Sequence, residues 1–274
     1  MIDILYAGNV GVLDGILTSA LSAVMRMDEP TPLTVHVLTM ELTRISEKYV
    51  PLREEHRAMI ECALKAKNPD TYVKLYDVTE LYAEHLAYNA NEGCYCSPYT
   101  LLRLLADLIP DIPDKLLYLD CDIMFNKNIS LIWDIDVSEY EYAAARDHYG
   151  KLLLYPNYIN AGVLLFNMKA CRESGIFVKA RELIRRKKLM FADQSALIRS
   201  TSRRKLLSQR YNDQKFLYKG TVIRHFSKRL FYLPYPHVEN VKQWQVERVK
   251  EVFGYTAFDD ILSEYIKIKK ETGL

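Results

Sequence analysis

The run Leu116-Leu117-Tyr118-Leu119-Asp120-Cys121-Asp122 constrains the fold of this 274-residue chain more than any other. Four apolar residues in a row leave neither face polar, which predicts a strand buried on both sides. Two carboxylates then end it abruptly. A carboxylate at the edge of a buried strand has to be hydrated, paired or metal-bound, because burying it bare is very costly. Two so close together repel, and a divalent cation removes that repulsion. Alternation along an extended chain sends Asp120 and Asp122 to the same side, so both can converge on one ion. The expectation is a metal site at the lip of a sheet.

The rest of the pattern says what kind of sheet. Strand-like runs at 2–7, 32–39, 72–77, 116–119, 142–146, 161–166 and 222–226 alternate with helical periodicity at 12–27, 43–66, 98–109 and 169–188. Such alternation predicts an α/β fold with a mostly parallel central sheet flanked by helices. The last forty residues are polar and helical, with Tyr235-Pro236 as a joint, so a main domain over 1–233 and a helical C-terminal extension over 234–274 are expected. Apolar content of 49%, charged content of 26% and a net charge of +2 describe an ordinary globular chain with no global pull toward nucleic acid. No apolar run approaches the ~18–20 residues needed to span a bilayer. The opening Ile2-Asp3-Ile4-Leu5-Tyr6-Ala7 lacks a basic region and a small-residue cleavage site, which predicts a cytoplasmic protein. Five cysteines are scattered, and Cys94-Tyr95-Cys96 has the wrong spacing for a zinc knuckle or a thioredoxin motif, so reduced thiols are expected.

Further segments carry polar groups where the pattern places strand ends or helix starts. Ala7-Gly8-Asn9-Val10-Gly11 follows the first strand, and its glycines allow close backbone approach to a ligand, although their spacing is not a dinucleotide fingerprint. Asn160 stands before Ala161-Gly162 and an apolar strand, either as part of a turn or at the mouth of the sheet. Asp193 either caps a helix starting at Gln194 or, with Gln194, presents an acceptor and an amide to a polar ligand. Arg103 interrupts an apolar helix face and can pair with Asp107 or reach the acids at the end of the neighbouring strand. His225 ends the late strand, as a structural residue or a nitrogen ligand. An acid pair after an apolar strand also occurs in phosphatases of the haloacid-dehalogenase type. Those want Thr or Val where Met124 stands, and their motif opens the fold.

Taken in order over roughly residues 2–230, these pieces resemble the retaining glycosyltransferases of family 8, the class of lipopolysaccharide galactosyl- and glucosyltransferases. The resemblance rests on Arg103 before Leu117-Tyr118-Leu119-Asp120-Cys121-Asp122, then Asn160-Ala161-Gly162-Val163-Leu164-Leu165-Phe166-Asn167, then Asp193-Gln194, then His225-Phe226. It implies a GT-A nucleotide-diphospho-sugar transferase fold over 1–233 and transfer of glucose or galactose from a UDP-sugar to a glycan or lipopolysaccharide-type acceptor. It implies Mn²⁺ held by Asp120, Asp122 and His225, and mixed carboxylate and imidazole ligands suit that ion. Ala7, Asn9, Arg103, Asp120, Cys121, Asp147, Asn160, Ala161, Asp193, Gln194 and Lys228 would then bind the nucleotide sugar, with Asn160, Asp193 and Gln194 nearest the chemistry. Gln194 takes the position where a nucleophile is sought. An amide is a poor one, so front-face attack is implied.

Two segments depart from the family pattern. Asn9 and Val12 stand where an acid and an aromatic usually meet the uracil. After the metal histidine the family shows Gly-x-x-Lys-Pro-Trp, whereas this chain reads His225-Phe226-Ser227-Lys228-Arg229-Leu230-Phe231, so Lys228 or Arg229 is expected to meet the phosphates. The alternatives are a sugar-1-phosphate nucleotidyltransferase, which would want early basic residues that 7–15 lack, and a non-catalytic nucleotide-sugar binder. The C-terminal helices, with Tyr265, Lys267, Lys269 and Lys270, read either as a solvated face or as a contact to an anionic membrane on the inner face.

Overall fold

The computed structural model describes residues 1–92, 97–233 and 235–273, so Cys94 and Cys96 lie outside the described residues. Strands β1 (Ile2–Ala7), β2 (Leu33–Thr39) and β3 (Thr71–Asp77) pair in parallel, with helices α1 (Leu13–Met25) and α2 (Glu54–Lys65) as the crossovers. β2 is buried along its whole length, as a central parallel strand should be, while β3 alternates buried and exposed residues. Helix α3 (Thr79–His85) and a 3₁₀ helix over Pro98–Leu108 lead to β4 (Lys115–Leu119), which joins β1 in parallel.

Beyond the acid pair come β5 (Ile123–Phe125), α4 (Ser130–Trp133), β6 (Tyr142–Ala145), α5 (Gly150–Leu153) and β7 (Val163–Asn167). Helices α6 (Met168–Ser174), α7 (Ile176–Arg186) and α8 (Ala192–Ser200) follow, then β8 (Arg204–Leu207), β9 (Ile223–His225), the hairpin β10 (Arg229–Phe231) and β11 (His237–Glu239), and α9 (Val246–Phe253) and α10 (Asp259–Thr272). The seven-stranded sheet runs β3-β2-β1-β4-β7-β6-β8, and β7 is antiparallel to both its neighbours.

That one reversed strand positions the site. Leu119 faces Val163, and Asp120 N–H donates to Gly162 O at 2.7 Å, so the start of β7 meets the end of β4. A second, two-stranded pairing of β5 with β9 aligns Ile123 with His225, and Phe226 N–H donates to Asp122 O at 2.7 Å. Two registers thus deliver Asn160–Gly162 and His225 to the acid pair.

Apolar clusters cover both faces of the sheet. Leu117 and Leu119 face α1 and α10, while Leu116 and Tyr118 face the 3₁₀ helix, α7 and α8. α1 is buried nearly all round, and its Ser19 satisfies Tyr6 Oη at 2.8 Å.

The structure corrects several expectations. The helix expected from 43 begins only at Glu54, because Pro51 disfavours helical backbone at Val50. The helix expected over 169–188 is two helices, broken at Gly175 in the left-handed region with φ 65°. The 98–109 helix is wound as 3₁₀, for which nothing in the structure gives a reason. In α10, Tyr265 is buried with Ile261, Leu262 and Ile268, and Lys269 pairs with Asp14 at 2.9 Å, so neither offers itself to a membrane. Among the described residues no helix is long and apolar enough to cross a membrane.

Glu141 ties the start of β6 to the turn entering β8. Its carboxylate accepts from Ser202 N at 2.9 Å, Ser202 Oγ at 3.2 Å, Arg203 N at 3.2 Å and from Thr201 Oγ1. Burial pushes this carboxyl up, but those donors outweigh it and hold it below the usual value. Its stabilisation is therefore full above the unfolded carboxylate pKa of about 4.3 and fades as pH falls through the lower folded value. Glu141→Ala should lose roughly 1–3 kcal/mol in urea unfolding at neutral pH. The gap to wild type should narrow in acid.

Candidate functional site

His225 sits in β9 with Nε2 3.1 Å from Asp122 Oδ1 and 4.0 Å from Asp120 Oδ2. One ligand atom from each of these three residues lies within 4.8 Å of the others. His225 Nδ1 lies 3.0 Å from Asn212 Oδ1, an acceptor, so the network assigns the proton to Nδ1 and leaves the Nε2 lone pair facing the acids. Two oxygen donors and one nitrogen donor on one point form a set that could hold a divalent cation. Gly162 makes the approach possible: a Cβ there would lie 2.5 Å from His225 Cε1 and 2.8 Å from Asp120 Oδ2.

Behind this cluster stands Arg103, almost fully buried. Its Nη2 donates to Asp120 Oδ1 at 2.9 Å, its Nε lies 3.2 Å from Asp193 Oδ2, and Nη1 donates to Ala161 O. The guanidinium also lies 4.0 Å over the Tyr118 ring. Asp107 is taken by Arg181, so of the two pairings open to Arg103 the structure has the one with the acid cluster. Asp193 is inside the first turn of α8 rather than its cap, a position held by Phe191 at φ 52°. Burial pushes the Asp193 carboxyl up, and Arg103 pulls against that without cancelling it.

An amide wall completes the ring. Asn160 Nδ2 donates to Asp147 Oδ2 at 2.8 Å, while its Oδ1 accepts from Gly162 N at 2.9 Å and Asn212 Nδ2 at 2.8 Å. Gln194 Oε1 accepts from Ala161 N at 2.9 Å. These groups enclose a cleft of about 720 Å³ whose lining includes Ala7, Asn9, Cys121, Asp147, Asn160, Gln194, Lys228 and the metal-type triad. Arg103, Ala161 and Asp193 stand in the wall behind that lining. Burial pushes the Cys121 thiol up, and its Sγ contacts Ala7 O at 3.4 Å, which makes it a packed residue. A separate polar depression of about 680 Å³ beside Arg26 and Asn126 contains none of these groups.

Two lining residues were not legible from local motifs. Tyr99, from the 3₁₀ helix, brings an aromatic ring beside Asn9 where Val12 offers none. Lys242 places Nζ 2.5 Å from Asp122 Oδ2 and 3.2 Å from Phe226 O. Burial pushes the Asp122 carboxyl up, but the Lys242 ammonium holds it well below the usual carboxylate range. Lys242-Gln243-Trp244 differs by one residue from the Lys-Pro-Trp sought directly after His225, and the β10–β11 hairpin separates the two. Gln243 Nε2 donates to Cys121 O at 2.8 Å, and Trp244 packs so closely on Gly15 that a Cβ there would lie 2.7 Å from its ring. Arg229 instead lies over Phe231 at 4.5 Å and Phe216 at 5.1 Å.

The family described as Glycosyl transferase family 8 matches residues 4–244, a span that includes Lys242 and Trp244. The chain belongs to glycosyltransferase family 8. Among solved structures it resembles the galactosyltransferase LgtC in complex with donor and acceptor sugar analogues. That likeness has a TM-score of 0.65 and 18% identity, and covers 97% of this chain and 96% of LgtC. The bifunctional glycosyltransferase WbbM matches with a TM-score of 0.72 and 17% identity over 98% of this chain and 51% of WbbM. Likenesses at such identity show the fold alone, here the GT-A fold with its mostly parallel sheet and a helical C-terminus. Glycosyltransferase GlyA of Streptococcus pneumoniae is 39% identical over 77 residues, which are 27% of this chain and only 11% of GlyA.

The tight fit at Gly162 generates a prediction. Gly162→Ala must displace His225 or Asp120, so divalent-cation affinity by calorimetry should fall about 10- to 100-fold while far-ultraviolet circular dichroism is unchanged.

Proposed function

We propose that this family 8 enzyme is a Mn²⁺-dependent retaining hexosyltransferase that moves glucose or galactose from a UDP-sugar to a glycan or glycolipid acceptor. The observation that carries the reading is the convergence of Asp120, Asp122 and His225 in one cleft with the Asn160–Gln194 wall. A Mn²⁺ ion held by these three residues would supply Lewis-acid stabilisation of the diphosphate leaving group.

The chain's own residues account for the remainder. Ala7, Asn9 and Tyr99 line the end of the cleft that follows β1, where Tyr99 offers the ring for a base. Lys228 and Lys242 supply positive charge to the diphosphate, with Lys242 exchanging its bond to Asp122 for one to phosphate. Asp147, Asn160 and Gln194 hold the hexose hydroxyls, and Arg103 and Asp193 fix that wall from behind.

Retention with a separate nucleophile would need a free group at Gln194 or Asp193. The Gln194 carbonyl oxygen already accepts from Ala161 N–H, and Asp193 is held by Arg103. This supports front-face transfer. The bond from the sugar carbon to the phosphate oxygen breaks, the acceptor oxygen bonds to that carbon on the same face, and the hydroxyl proton passes to the departing phosphate. The free thiols Cys62, Cys121 and Cys171 suit a reducing, cytoplasmic setting.

The decisive measurement is release of UDP from a panel of UDP-sugars in the presence of Mn²⁺. Slow hydrolysis of UDP-glucose or UDP-galactose is expected, whereas tight binding without turnover would identify a sugar-nucleotide binder. Asp122→Ala should abolish Mn²⁺-dependent UDP binding in calorimetry, and an unchanged affinity would remove the metal assignment. Lys242→Ala should weaken UDP about tenfold or more, the loss expected of one charge-assisted hydrogen bond.

A further inference from the structure

Four separate segments crowd the mouth of the cleft. They are the α5 segment 148–156, the α7–α8 junction 185–191, the loop 214–220 and the hairpin 227–239, which contribute Tyr149, Phe191, Gln214 and Leu230 to its lining. His148 N–H donates to Gln214 Oε1 at 2.7 Å, and Leu230 N–H donates to Tyr149 Oη at 3.1 Å. The Tyr158 ring lies 5.4 Å from Tyr155 and 6.3 Å from Phe191, bridging the first two segments. They therefore form one continuous rim rather than four loose loops.

The rim has an unusual surface. Leu152 is 75% exposed, Leu153 79% and Leu233 82%, and Met190, Tyr218 and Tyr235 are exposed beside them. Scattered exposed leucines are ordinary on a protein surface, but these all stand on segments that line one binding cleft. Its charge is strongly positive. With the hairpin taken to its end at Glu239, the four segments hold nine of the chain's 37 Lys and Arg and one of its 35 Asp and Glu. Apolar and aromatic side chains interleaved with lysine and arginine match the layered chemistry of a membrane interface. There rings and leucines enter the acyl boundary while basic groups reach anionic headgroups. A protein partner would match the apolar groups but would not by itself call for so large an excess of positive charge.

We propose that this rim docks on an anionic phospholipid bilayer, which sets the mouth of the cleft against the lipid and makes the acceptor a lipid-anchored saccharide. The proposal rests on the transferase reading for the identity of the acceptor, and not for the docking itself. It also moves the membrane contact from the C-terminal helices, whose Tyr265 is buried, to the opening of the site.

Sedimentation of the full chain with vesicles tests it without any turnover, so failure here and failure of the transferase reading are separable. The wild type should bind phosphatidylcholine vesicles containing phosphatidylglycerol, bind pure phosphatidylcholine far less, and release with salt. A Leu152→Ser, Leu153→Ser, Leu233→Ser triple variant and a Lys187→Glu, Lys188→Glu double variant should each lower partitioning at least about tenfold. Their Mn²⁺-dependent UDP affinity should stay at the wild-type value, which shows that the cleft is folded. Lys267→Glu with Lys270→Glu should bind as wild type does. Absent binding to anionic vesicles, rim variants that bind as well as wild type, or loss only in the C-terminal variant would each overturn the proposal. So would a rim-dependent dimer in sedimentation velocity without lipid.

Discussion

The buried guanidinium of Arg103 is the contact on which the site depends. It reaches the end of β4 through Asp120, the start of β7 through Ala161 and the first turn of α8 through Asp193. Three chain segments distant in sequence are held by one planar group whose geometry is fixed by its own covalent frame. A lysine could not do this, having one point of charge. Leaving Asp193 without its partner would strand a buried charge, which couples α8 to the rest of the site.

The β7 reversal matters for the same reason. In an all-parallel sheet the start of a strand lies at the edge opposite the ends of its neighbours. Because β7 runs backwards, Asn160, Ala161 and Gly162 approach from the other end of the strand and arrive beside Asp120. The amide wall and the acid pair are thus neighbours by topology, and the side chains need only modest adjustments to meet.

Much of this was legible in the chain. The buried strand before Asp120 is visible because it has no polar face, and the order of the family motifs carries both fold and family. Other features were not legible, each for a physical reason. The antiparallel course of β7 leaves no trace in an apolar run, since Val163–Phe166 would look the same in either direction. The break at Gly175 is hidden because a helical pattern continues on both sides of one left-handed residue. Lys242 escaped because motif reading assumes contiguity, and here contact with Asp122 is made across a hairpin. Its signal was present as Lys242-Gln243-Trp244, further along the chain than the pattern is usually sought.

That hairpin has a consequence for how such a chain can diversify. Arg229 faces Glu239 across its base, so whatever lies in the turn, the two ends leave side by side. The segment can lengthen, shorten or change character without altering where His225 ends or where Lys242 begins. The hairpin is in effect a port: a separable module set between His225 and Lys242, two fixed sides of the cleft. Exchanging the turn beyond the Arg229–Glu239 pair would change what the mouth of the cleft touches while leaving Lys228 and Lys242 where they stand.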